Sequence, residues 1–156
     1  MVAGGGPAGA HATAAIARDF VGGWALSQVG KSDPVPYWEA CGVKPPYPKY
    51  WCGAFALTAL IRARLCEWKW KIGDGFLFRL RRTSCPLCGD IAYFEKKEHH
   101  AVFIGDDQFV NGNGRNGEVT LSVGNHPTAY YSIAQLVDKF DAEELEAINA
   151  AHQKPV

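Results

Sequence analysis

The chain lacks a charge excess: sixteen Lys and Arg are balanced by sixteen Asp and Glu. A neutral total removes the usual reason to expect nucleic acid or an anionic membrane surface as a partner. No run approaches the roughly 18 consecutive apolar residues that a membrane span requires, so insertion is not expected. The opening residues Met1-Val2-Ala3-Gly4-Gly5-Gly6-Pro7 have neither the positive start nor the apolar core of a signal peptide. Synthesis in the cytoplasm, with delivery by other machinery, is the expectation. There is no internal repeat and no linker between domains. A second Cys-x-x-Cys is missing too, so Cys85-Pro86-Leu87-Cys88 stands alone as half of a zinc signature. The five cysteines are an odd number, which leaves at least one thiol free.

What is present fits one globular domain. At 156 residues and 47% apolar content, the chain can bury a sizeable core. Residues 1–10, rich in Gly, Ala and Pro, read as a loose tail, and residues 11–156 as a single domain. From His11 to Val29 the positions Ala15, Ile16, Phe20, Trp24 and Leu26 suggest a helix, weakened or broken at Gly22-Gly23. Ser32 or Asp33 caps a second short helix ending at Gly42, with Pro34 near its first turn. A third helix begins at Cys52 and is expected to reach about Glu67. Strand patterns then follow at Ile91–Phe94, His100–Ile104, Gln108–Asn111 and Glu118–Val123, with a short one at Tyr130-Tyr131. Gly105-Asp106-Asp107 connects the second and third of these as a hairpin. Helical stretches close the chain at 132–140 and 142–151. Helices first and adjacent strands later indicate an α+β domain with a mostly antiparallel sheet.

Two residues carry the chemistry. Cys52 opens a helix, where free backbone N–H groups and the helix dipole favour an anion and so a thiolate. His100 opens a strand whose alternation puts His100, Val102 and Ile104 on one face, the face expected to meet that helix. An imidazole there takes the thiol proton and returns it to a leaving group. Asn111, brought back by the hairpin, is positioned to hold the imidazole in its useful tautomer; Asn113 is the alternative, and the sequence does not choose between them.

The order Trp51-Cys52-Gly53-Ala54-Phe55, then Gly89-Asp90-Ile91-Ala92-Tyr93-Phe94, then His100-Ala101-Val102-Phe103-Ile104-Gly105, then Phe109-Val110-Asn111-Gly112-Asn113 resembles the CHAP family of papain-like cysteine amidases and peptidases. It is similar, more distantly, to the NlpC-type proteins. Ala25-Leu26-Ser27-Gln28-Val29-Gly30 looks like the family's opening helix, so the resemblance spans about Ala25 to Val123. It implies a papain-like fold with Cys52 as nucleophile, His100 as base, and Asn111 or Asn113 as the third polar residue. It suggests Gln28 as an oxyanion donor beside the Cys52 backbone N–H. Tyr47, Tyr50, Trp51 and Tyr130 are candidates to line the groove, with core packing as the alternative for Trp51. The resemblance further implies hydrolysis of an amide bond in bacterial peptidoglycan through a thioester, as in a phage endolysin, by a monomer needing no metal or cofactor. The chain departs from the family in Cys88 before Gly-Asp, in the basic Trp68-Lys69-Trp70-Lys71 stretch and in its extra C-terminal helical piece.

Two other classes compete. Cys85 and Cys88 would build a zinc-stabilised binding module if Cys41, Cys66, His99 or His126 completed the site in space. A catalytically dead relative serving as a virion component would keep the fold and lose the reaction.

Overall fold

The computed structural model describes residues 6–70 and 76–140. Three helices precede a six-stranded sheet: α1 (Gly6–Ser27), α2 (Val35–Ala40), α3 (Cys52–Arg62), then β1 (Arg81–Thr83), β2 (Ile91–Phe94), β3 (His99–Phe103), β4 (Gln108–Asn111), β5 (Thr120–Val123) and β6 (Ala129–Ser132). The strand order is β1-β6-β2-β3-β4-β5, and every neighbouring pair is antiparallel. The expected α+β class with an antiparallel sheet is what the chain adopts. Residues 134–140 are helical, and the helix expected at 142–151 lies outside the described residues. Among the described residues no helix is long and apolar enough to cross a membrane.

Helix α1 corrects three expectations. It begins at Gly6, inside the expected tail, with Pro7 in the first turn and alanines behind it, both compatible with a helix start. It also runs unbroken through Gly22-Gly23. A Cβ at Gly22 would sit 2.7 Å from Cys88 Sγ and 3.4 Å from Ile104, so the missing side chain lets the helix lie directly on the sheet's end. The buried stripe is Ala17, Val21 and Ala25, while Ile16 and Phe20 are 68% and 49% exposed. Small residues permit the close approach that the large ones on the neighbouring face would prevent.

Helix α3 is the centre of the molecule. Every residue from Cys52 to Leu60 is buried, because α1 and α2 cover one side of the helix and the sheet the other. It ends at Arg62, short of Glu67: Leu65 N–H donates to the Leu60 carbonyl and Arg64 N–H to that of Ile61. This six-to-one closure requires a left-handed residue, and Arg64 supplies it at φ +60° where glycine is usual. Tyr37 of α2 stacks on Trp51 at 5.5 Å and meets Phe55 edge-on at 5.1 Å, fixing the approach to the helix start.

Where β4 ends, a Cβ on Gly112 would overlap Phe55 Cβ of α3. Neither backbone can yield without parting helix from sheet. Gly112→Ala is therefore expected to cost about 1–3 kcal/mol, as overpacking in a dense core does, read as a lower urea midpoint at unchanged slope.

Candidate active site

Cys52 is the first residue of α3, with Trp51 as an N-cap that offers no side-chain bond. His100 is the second residue of β3, on the face that β3 turns to α3. The packing of α3 on β3 brings Cys52 Sγ to 3.9 Å from His100 Nδ1 and 3.8 Å from the Glu98 carbonyl. Forty-eight residues of sequence separate the sulfur from the imidazole, and the fold closes that separation. Gly53 is part of the device: a Cβ there would overlap the Trp70 ring and lie 3.3 Å from His100 Nδ1. Its absence lets both rings approach the thiol.

Burial governs the electrostatics. Trp70 and Tyr93 flank the imidazole edge-on, at 6.4 and 5.2 Å between ring centres. His100 is 9% exposed, and removal from water, with a smaller contribution from the neighbouring His99, pulls its pKa down to about 4. The expected low thiol pKa is not found. Burial pushes the Cys52 thiol up, against the backbone N–H groups of His100, Gly53 and Cys52 itself, which act in the opposite direction. The pair therefore rests as neutral thiol and neutral imidazole at neutral pH, and the helix start does not overcome desolvation here.

The other predicted residues divide. Tyr50 is 71% exposed and shares with Cys52 a cleft of about 750 Å³. Trp51 is buried under Tyr37 and packs in the core, the alternative to its place in the groove. Gln28 is not at the thiol. Its Oε1 accepts from the Tyr37 hydroxyl at 2.9 Å, and it lines a second cleft with Thr58 and Arg62. Those residues are six and ten positions along α3 from Cys52, about 9–15 Å at the helical rise.

Asn111 is also corrected. Its Oδ1 lies 2.8 Å from Nε2 of His99, not on His100, and its Nδ2 donates to the carbonyls of Phe109 and Thr120 and to Ser122 Oγ. The reason is register. Val102 pairs with Val110 and Phe103 with Phe109, which continues to Ala101 opposite Asn111 and His100 opposite Gly112. Asn111 thus projects to the outer sheet face with His99, and His100 to the inner one. Asn113 lies beyond the strand at φ +52°, on the wall of the same cleft as Cys52. Among the described residues, neither asparagine is hydrogen-bonded to His100.

The Cys-x-x-Cys does not converge. Cys85 is exposed beside Ser84, whereas Cys88 Sγ points to the Arg18 carbonyl of α1 at 3.7 Å. Among the described residues, no three side chains of metal-ligand type come together. His99, weighed in the sequence only as a possible zinc ligand, is sent by strand alternation to the face opposite His100. Asp90, read only as part of the Gly89-Asp90 motif and a turn, is a buried carboxylate.

No known protein family, no curated protein and no solved structure matches the chain.

Proposed function

We propose that the chain is a papain-like cysteine hydrolase that cleaves an amide bond in bacterial peptidoglycan, either between sugar and stem peptide or within the peptides. The observation that carries this reading is the Cys52–His100 pair: sulfur and Nδ1 3.9 Å apart at the start of α3, opening on a cleft of about 750 Å³.

In this mechanism His100 takes the Cys52 proton as the sulfur attacks the carbonyl, because the thiol is neutral at rest. Backbone N–H groups of the first turn of α3, that of Cys52 foremost, stabilise the oxyanion. The imidazolium then protonates the departing amine, leaving a thioester at Cys52. Water, deprotonated by His100, releases the acid. The chain's own groups suffice for each step. An endolysin or related lytic protein, made in the cytoplasm and acting on the wall after delivery, is the setting this chemistry fits.

The test is turbidity loss of purified peptidoglycan, with product masses naming the bond. Untreated protein is expected to clear the suspension, and protein alkylated at Cys52 is not. Equal release by alkylated protein would sink the reading.

A further inference from the structure

On the outer sheet face, the bonds around Asn111 determine the state of a second histidine. The carbonyls of Phe109 and Thr120 can only accept, so the Asn111 atom facing them is the amide nitrogen. Its Oδ1 then faces His99 Nε2 at 2.8 Å and can only accept as well. In the neutral ring the proton must sit on Nε2, and Nδ1 must carry the lone pair. The His99 ring packs against Phe94 with centres 5.7 Å apart, which fixes its plane. Burial lowers its pKa, outweighing the contribution of Asn111, so the ring is neutral at neutral pH. Among the described residues Nδ1 has no hydrogen-bond partner, and His99 lines the cleft that holds Cys52.

We propose that His99 is a substrate-binding residue whose Nδ1 accepts a hydrogen bond from an amide N–H of the peptide portion of the substrate, with Asn111 as the positioning residue that fixes the tautomer. This rests on the reading of Cys52 as the nucleophile of a peptide-bearing substrate. It gives the adjacent histidines separate tasks: His100 moves a proton on the inner face, and His99 recognises a donor on the outer one. It also explains why the asparagine expected at His100 is built so firmly into the other face.

The test uses the Cys52→Ala protein, which keeps His99 and Asn111 and does not consume its ligand. In nitrogen-15 NMR of the imidazoles, His99 is expected to show a protonated Nε2 and a bare Nδ1. A soluble disaccharide-tripeptide muropeptide should shift that Nδ1 resonance. In the active protein, His99→Phe should raise KM about tenfold, the value of one neutral hydrogen bond, with kcat changed much less. His99→Gln, which offers a carbonyl acceptor, should recover part of the loss. Asn111→Asp should raise the pKa of His99, place a proton on Nδ1 at neutral pH, and weaken binding most at the acid end of the profile.

A protonated Nδ1 in the free protein, an Nδ1 signal that ignores saturating muropeptide, or an unchanged KM in His99→Phe would each overturn the proposal. The two readings fail separately. Hydrolysis that depends on Cys52 beside a silent Nδ1 defeats only the role of His99. An Nδ1 that responds in a protein with no thiol-dependent hydrolysis supports that binding role and defeats the nucleophile.

Discussion

Cys52→Ala is expected to reduce peptidoglycan hydrolysis by ~10⁴-fold or more, because no other group stands where the thioester would form. His100→Ala should cost on the order of 10²–10⁴, the range for removing a general base while leaving backbone oxyanion donors in place. Both variants are expected to stay folded, since each only shortens a side chain and leaves the backbone packing of α3 on β3 intact. The pH dependence of thiol alkylation separates this mechanism from a resting ion pair. His100 titrates near 4 rather than 6.5, so the acid limb of kcat/KM should fall near pH 4, with the enzyme competent above it. Iodoacetamide should modify Cys52 slowly at neutral pH and faster as the medium becomes alkaline, because burial holds the thiol above the 9.0 of an ordinary cysteine. Rapid alkylation that persists at pH 6 would favour a preformed thiolate instead, and an acid limb at 6.5 would mean an imidazole that burial has not shifted.

The same burial has a cost in stability. The unfolded chain binds a proton at His100 near 6.5 and the folded one only near 4, so stability is full above that window and falls as the pH drops through it. The loss is ~3 kcal/mol at most for a shift of this size. His99, shifted in the same direction, adds to it. Rates in the acid limb therefore have to be measured beside circular dichroism, to separate protonation of a folded enzyme from unfolding.

Much of this was legible, and the omissions have physical causes. The strands at 91–94 and 108–111 follow from period-two patterns between turn residues, and the structure has them at those bounds. The short β1 carries Arg81, Arg82 and Thr83 and no alternation, since it is mostly exposed and depends on pairing with β6. The end of α3 was hidden because a left-handed Arg64 does the work of a glycine. The meeting of Cys52 and His100 was predictable from a helix start and a strand start that share a buried face. The error over Asn111 was avoidable. A three-residue connection at Gly105-Asp106-Asp107 sets Ala101, not His100, opposite Asn111, and one residue of register exchanges the faces of a sheet. Gln28 was misplaced for another reason: no local pattern says how far along α3 the end of α1 will dock.

Asp90 is where the largest effect on stability is expected. Its carboxylate is 1% exposed and accepts three hydrogen bonds: from Arg18 Nη1 at 2.9 Å, from Ile133 N–H at 2.9 Å and from Leu87 N–H at 2.8 Å. It thereby joins α1, the turn before β2 and the start of the last described helical stretch. The Asp90 main chain adds a fourth tie, its carbonyl accepting from Phe103 N–H of β3 at 2.9 Å. Burying this anion is tolerable only because every partner is present. Asp90→Ala leaves the Arg18 cation and two backbone N–H groups facing an empty space, and is expected to cost about 3–5 kcal/mol. That is a large share of the roughly 5–15 kcal/mol holding a domain of this kind together. Asp90→Asn keeps the shape but turns an amide NH₂ toward donors, so it too should destabilise. Arg18→Ala in the Asp90→Ala background should cost less than it does alone, because the cation it removes has already lost its carboxylate and keeps only the Cys88 carbonyl at 3.1 Å. Urea midpoints for the two single variants and the double variant measure this directly. Additive losses, or a loss below about 1 kcal/mol for Asp90→Ala, would mean that water replaces the carboxylate. Hydrolysis by the folded fraction should survive in all of them, since Asp90 is absent from the cleft lining and acts by holding the strands that carry His100.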